Sequence, residues 1–288
     1  SGDFSPATRF ATELSSSNES AGTPAIRSGV ENGRDARLQV RFDQGVLRIA
    51  FDRPATLNAV TAATLTHAAE LVDEAGSTAS VRAILLTGTG RAFCAGADLA
   101  DRHHDDRGAS TLDAATRLIR ALVTVDKPVV GAVNGPAAGV GVSIALACDV
   151  IIAHESAYFL LAFARVGLMP DGGATELVEA SVGRSRALQL ALLSERLTAE
   201  QACRAGLVWD VRGDDFVAAA DALTRRLASG PTVALGRAKL AINAAALAGL
   251  DDAFERERSG QSAPLATDDY AEGVAAFLGR RTPRYRGR

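Results

Sequence analysis

The chain has 288 residues, 47% of them hydrophobic and 23% charged, with 31 Lys and Arg against 34 Asp and Glu for a net charge of −3 and a pI of about 5.9. That is enough chain to bury one large core, and its near-neutral balance argues against nucleic acid or a membrane surface as partner. The 27 glycines and nine prolines show no fixed period, which excludes a collagen-like or low-complexity chain.

Cys94, Cys148 and Cys203 are odd in number, far apart and without CxxC spacing, so the sequence predicts a reducing, cytoplasmic compartment. No apolar run approaches the length of a membrane span, and no charged-then-apolar signal opens the chain. Met169 is the only methionine, which reads as a processed or trimmed chain.

Residues 1–36 are rich in turn and coil formers (Ser15-Ser16-Ser17-Asn18, Gly22-Thr23-Pro24, Glu31-Asn32-Gly33) and read as a flexible N-terminal extension, with at most a short helix near Arg9 to Leu14. From Arg37 the pattern changes. Leu38 to Phe42 and Val46 to Phe51 alternate around Gly45, predicting a hairpin. Thr61 caps an amphipathic helix through about Glu74, and Val81 to Thr87 reads as a buried strand. A helix near Leu112 to Thr124 leads to a second buried strand, Pro128 to Val133. A small, apolar helix from Gly139 to Cys148 precedes a third strand at Val150-Ile151-Ile152. Repeated strand–helix units predict a layered α/β core. Beyond about Arg184 helices dominate: 184–193, 198–205, 214–229, 231–247, 250–260 and 267–279. Several are alanine-rich and apolar on more than one face, which calls for cover by a partner subunit. The expected organisation is an extension over 1–36, a core over 37–229 and a C-terminal helical region over 230–288.

Two glycine-rich segments follow predicted strands. Gly88-Thr89-Gly90-Arg91-Ala92-Phe93-Cys94-Ala95-Gly96-Ala97-Asp98-Leu99 lacks the glycine that a dinucleotide fingerprint needs where Phe93 stands, and it lacks the Gly-Lys-Ser/Thr of a P-loop. Viewed alone it reads as a tight turn. Val133-Asn134-Gly135-Pro136-Ala137-Ala138-Gly139-Val140-Gly141-Val142-Ser143 opens a helix, where amide groups lack partners. Two such turns can converge on one oxygen atom, and two backbone donors there would form an oxyanion hole worth about 3–4 kcal/mol per donor.

These paired segments resemble the crotonase (enoyl-CoA hydratase/isomerase) superfamily. The likeness extends from about Leu38 to the C-terminus through Phe51-Asp52-Arg53-Pro54, Leu57-Asn58-Ala59, Cys148-Asp149 and Asp269-Tyr270-Ala271-Glu272-Gly273-Val274-Ala275-Ala276-Phe277-Leu278. Together these are specific; either glycine segment alone is not. The resemblance implies a spiral of repeated β-β-α units with a C-terminal helical oligomerisation region, assembled as a homotrimer or dimer of trimers. It implies an acyl-CoA thioester as substrate, with coenzyme A entering as part of that substrate and no metal or separate cofactor. The thioester oxygen would lie between the amides of Ala97 and Val140, and the CoA moiety against Ala55, Leu57, Ala95, Asp98 and Leu99.

The departures matter as much. Where hydratases of the family carry two glutamates, this chain has Ser143 and Phe163; a hydroxyl is no competent base unaided and phenylalanine does not titrate. One carboxylate falls nearby, in Gly167-Leu168-Met169-Pro170-Asp171-Gly172-Gly173. Read by itself, Pro-Asp-Gly-Gly is turn chemistry, with Asp171 capping a helix that starts near Gly173. The segment Phe163 to Asp171 also resembles the ring-epoxide phenylacetyl-CoA isomerase branch, which implies a catalytic Asp171 with capping as a second role.

The reading is therefore an isomerase. Asp171 would move a proton within an unsaturated acyl-CoA, converting 3-enoyl to 2-enoyl, or would isomerise a ring epoxide. The alternatives are an enoyl-CoA hydratase and a non-catalytic acyl-CoA-binding homologue. A serine hydrolase using Ser143 ranks last, since Gly141-Val142-Ser143-Ile144-Ala145 lacks the elbow's final glycine and any identifiable histidine partner. His103-His104-Asp105-Asp106 reads as a solvated loop rather than a metal site, and the resemblance puts it near the acyl pocket. Phe159, Leu160, Leu161, Phe163 and Trp209 read as core or pocket wall, and Asn58 and Asp149 as structural hydrogen-bonding residues.

Overall fold

The computed structural model describes residues 30–32, 37–99 and 109–288. Most of the extension, the helix expected near Arg9 to Leu14 and the loop His103 to Asp106 lie outside the described residues. Val30–Asn32 forms β1, although the sequence assigns it to the extension. β2 (Leu38–Asp43) and β3 (Val46–Phe51) make the expected hairpin, paired from Leu38 with Phe51 to Asp43 with Val46. Gln44 and Gly45 between them both have positive φ (50° and 79°), as two-residue hairpin turns require.

After a 3-10 turn at Pro54–Thr56, helix α1 (Ala62–Ser77) starts where Thr61 accepts the amide of Thr64. Leu65, Ala68, Ala69, Val72 and Ala75 supply its buried stripe. There follow β4 (Ala83–Gly88), α2 (Ala109–Thr124), β5 (Val129–Val133), β6 (Ala137–Ala138), α3 (Val140–Leu146), β7 (Val150–His154) and β8 (Tyr158–Leu160). A second 3-10 turn (Phe163–Val166) leads to α4 (Ala174–Leu193), β9 (Leu197–Thr198), α5 (Ala199–Ala205) and β10 (Asp210–Arg212). The helices α6 (Phe216–Ala228), α7 (Thr232–Ala246), α8 (Leu250–Leu265) and α9 (Asp268–Leu278) complete the chain. The helix expected over 184–193 is the second half of α4, which is interrupted at Gly183 (φ 75°, ψ 158°).

The main sheet runs β1-β2-β3-β4-β5-β7-β10, antiparallel through the hairpin and parallel from β3 to β10. All five residues of β5 are buried, the unbroken apolar run of a strand covered on both faces. α1 and α2 pack against one face, and Phe216, Ala220 and Ala228 of α6 cover Ala83, Val130 and Ile152 on the other. A small sheet, β6-β8-β9, lies beyond the ends of β5 and β7. Phe159, Leu160, Leu161 and Phe163 are buried. Trp209 corrects the expectation of a core or pocket-wall side chain, being 57% exposed. Among the described residues no single helix is long and apolar enough to cross a membrane; α7 and α8 reach the length only together, bent by 53°.

Candidate active site

β4 and β5 are parallel neighbours, so the glycine-rich segments that follow them leave the same edge of the sheet. Backbone bonds join the two. The amides of Phe93 and Cys94 both donate to the carbonyl of Pro136 at 3.1 Å, and Ala138 donates to the carbonyl of Cys94 at 2.9 Å. Asn134 adds side-chain bonds to the carbonyls of Gly90 and Ala92. The spacing tolerates no side chain at two points: a Cβ on Gly135 would stand 2.2 Å from the Arg91 oxygen, and one on Gly141 would stand 2.3 Å from the Cys94 oxygen.

A third segment lies on the other side of the first. Ala95 donates to Leu57, Val60 donates to Gly96 and Asp98 donates to Val60, at 2.9–3.0 Å. In this ladder Ala97 is paired with Val60, while the bonds themselves run to its two neighbours, so the Ala97 amide faces away from that strand. Val140 is the first residue of α3, where an amide has no intrahelical acceptor. Among the described residues, neither the Ala97 nor the Val140 amide donates to a backbone carbonyl.

Leu57 and Asn58 occupy the left-handed region (φ 55° and 57°). Asn58, 1% exposed, holds that bend by donating to the carbonyls of Thr89 and Ala92 and accepting the Arg53 amide. Ala55 is exposed; Leu57, Ala95, Ala97, Asp98 and Leu99 are half-buried. These positions therefore fall on two adjoining segments, with Arg53 reaching across them to the Asp98 carboxylate at 2.8 Å.

Asp171 comes to the same place from another direction. The Ser143 hydroxyl on α3 donates to the Asp171 carbonyl at 3.2 Å. Gly172 follows in a left-handed conformation so close to α3 that a Cβ would stand 3.2 Å from a Val140 methyl. The Asp171 carboxylate accepts 2.7 Å from the side-chain amide of Gln261 on α8. The capping that the sequence allots to Asp171 falls to Glu257: its carboxylate takes the amides of Gly173 (2.6 Å) and Thr175 (2.9 Å) and the Thr175 hydroxyl. Burial pushes the Glu257 carboxyl up against the opposing pull of these donors.

Glu257 and Gln261 escape the sequence reading because Glu255-Arg256-Glu257-Arg258 looks like a solvated charge run. Their spacing carries the missing signal, since Leu250, Phe254, Glu257 and Gln261 recur on one helical stripe and all are buried. Ser143 is buried and bonded to a carbonyl rather than to any described histidine, which leaves the hydrolase reading without a base. The Cys94 thiol, within the first glycine-rich segment, is pushed up to about 12 by burial and is no nucleophile at neutral pH. Among the described residues no group of three His, Cys, Asp or Glu could hold a metal ion.

A family model described as enoyl-CoA hydratase/isomerase matches residues 41–288. The chain is 42% identical over 253 residues to a 1,2-epoxyphenylacetyl-CoA isomerase of Escherichia coli (strain K12), covering 85% of this chain and 97% of that protein. It is 37% identical to a 2,3-dehydroadipyl-CoA hydratase of the same strain, covering 88% and 100%. A crystal structure of an enoyl-CoA hydratase from Mycobacterium avium subsp. paratuberculosis K-10 superposes with a TM-score of 0.82 at 46% identity, covering 87% of this chain and 99% of that one.

Proposed function

The chain belongs to the enoyl-CoA hydratase/isomerase family, and from that premise we propose that it is a cytoplasmic acyl-CoA isomerase in which Asp171 moves a proton while the Ala97 and Val140 amides hold the thioester oxygen. CoA lies along Ala55, Leu57, Ala95, Asp98 and Leu99, and enters only as part of the substrate. One observation carries the reading: the only ionisable side chain of the Gly167–Gly173 segment is that of Asp171, whose backbone is bonded to the helix that begins with Val140. The hydratase alternative is disfavoured because Ser143 and Phe163, both buried, stand where two carboxylates are needed to add water. The names of relatives support both reactions.

The steps balance without water or redox change. Hydrogen bonds to the thioester oxygen acidify the C2–H of a 3-enoyl ester, because the electron pair released flows onto that oxygen. The Asp171 carboxylate takes the C2 proton, giving a dienolate. The protonated Asp171 returns a proton to C4, the double bond settles between C2 and C3, and the carbonyl reforms. The same donors and base would serve a ring-epoxide ester. A positioned base typically contributes about 10²–10⁴-fold, so Asp171→Asn is expected to lower 3-enoyl to 2-enoyl turnover by that order while calorimetric CoA-ester binding persists. Undiminished turnover removes Asp171 from the reaction. Assaying 2-enoyl, 3-enoyl and aryl-epoxide CoA esters separately for water addition and double-bond movement decides between isomerase, hydratase and a binding protein without turnover.

A further inference from the structure

Gln261 is 3% exposed, and a buried amide must find partners for two donors and an acceptor. All three are met on one loop 90 to 92 residues away in sequence. Its Oε1 takes the Met169 amide at 3.1 Å, and its Nε2 donates to the Met169 carbonyl at 3.0 Å and to Asp171 Oδ2 at 2.7 Å. These partners fix the amide's orientation, because only the nitrogen can serve a carbonyl and a carboxylate together. One turn earlier on α8, Glu257 grips Gly173 and Thr175. Gly260 leaves room between them, as a Cβ there would stand 2.6 Å from the Met169 sulfur.

Asp171 thus stands between two anchors projected from one helix face, although the two glycines after it have left-handed backbones that give the loop no stiffness of its own. We propose that Gln261 is a positioning residue for the reaction: its Met169 contacts fix the loop, and its remaining donor sets the rotation of the Asp171 carboxylate toward the reacting carbon. This rests on the reading of Asp171 as the base. Proton transfer needs reacting atoms about 3–3.5 Å apart and aligned. A carboxylate rotated away from that alignment reacts slowly.

The test uses the full chain with a 3-enoyl-CoA substrate, and with a saturated acyl-CoA whose C2 protons exchange into D2O, followed by NMR. Gln261→Met keeps the length and removes all three bonds. Gln261→Asn keeps the amide chemistry but withdraws it by one methylene from Asp171, and it carries the test should the methionine variant not fold. The expected result is a kcat about ten- to a hundredfold lower and C2 exchange reduced in parallel at an unchanged KM, while the methionine variant also melts lower because its Met169 backbone groups lose their partners. In an Asp171→Asn background the second substitution should cost no further activity, because the two act as one unit. Wild-type kcat in either folded variant overturns the proposal, as does a KM that worsens together with kcat, which would mark mere support of the loop. If Asp171→Asn itself retains turnover, the base assignment fails. If Asp171→Asn is inactive while the Gln261 variants are unimpaired, only the role of Gln261 fails.

Discussion

A methyl group on Gly141 would enter the 2.3 Å left between its Cβ position and the Cys94 carbonyl, and that carbonyl already accepts the Ala138 amide. Alanine there must push α3 away from the Ala95–Leu99 segment and so separate the two amides proposed to share an oxygen. Loss of one such donor is worth about 10²–10³-fold in kcat. Gly141→Ala is therefore expected to lower turnover by that order, with overpacking costing about 1–3 kcal/mol of stability in denaturant unfolding. A variant with normal kcat would mean that the spacing of the two segments is immaterial. At this scale the sequence was informative about residue type and silent about cause. Gly141 does not have positive φ, so its glycine answers to close approach, which depends on the Cys94 carbonyl 47 positions earlier. Asn58 was legible as a hydrogen-bonding residue, but its partners Thr89 and Ala92 were not.

Between elements, α7 is tied to the sheet through a buried lysine. Lys239 donates to the carbonyls of Leu122 at 2.6 Å and Lys127 at 3.2 Å, and pairs with Asp149 at 3.1 Å. Asp149 in turn accepts the Val129 amide at the start of β5. Burial pushes the Asp149 carboxyl up and the Lys239 amine down, so desolvation outweighs mutual attraction and the pair is no large net stabiliser. Removing one partner alone is a different matter. Lys239→Met strands a charge and two carbonyls, and is expected to destabilise the fold by about 3–5 kcal/mol, read as a lowered midpoint in urea. Adding Asp149→Asn should recover part of that loss, and an unchanged midpoint for the single variant would refute the account. The sequence marked Asp149 as structural but offered no route to Lys239, 90 positions on and set in an alanine-rich helix.

For the whole molecule, the helices at the C-terminal end leave large apolar side chains uncovered. Leu192 and Leu193 at the end of α4 are 72% and 58% exposed, and Phe277 and Leu278 at the end of α9 are 61% and 55% exposed. Leu192, Leu193 and Phe277 line one open cavity together with Tyr285, which gathers them on a common face. A contiguous apolar face calls for a partner, and we propose that the partner is a second copy of this chain, within a homotrimer or dimer of trimers. Sedimentation at micromolar concentration is expected to give the mass of three or six chains, and a monomer would remove the proposal.

The hairpin at Gly45, the strands β4, β5 and β7, most of the helices and the two glycine-rich segments were written locally, in alternation, helical spacing and turn chemistry that act over a few residues, whereas the short strands β1, β6, β8, β9 and β10 were not. Those signals suffice for the layered core, because each long element buries its own stripe against whatever layer it meets; two- and three-residue strands carry too little pattern and form only where a partner strand is at hand. The grip of α8 on the Asp171 loop was decided only in three dimensions. Helical spacing places Glu257 and Gln261 on the buried stripe of α8, but the groups they meet there lie on a loop 82 to 92 positions away, and no local pattern names such partners.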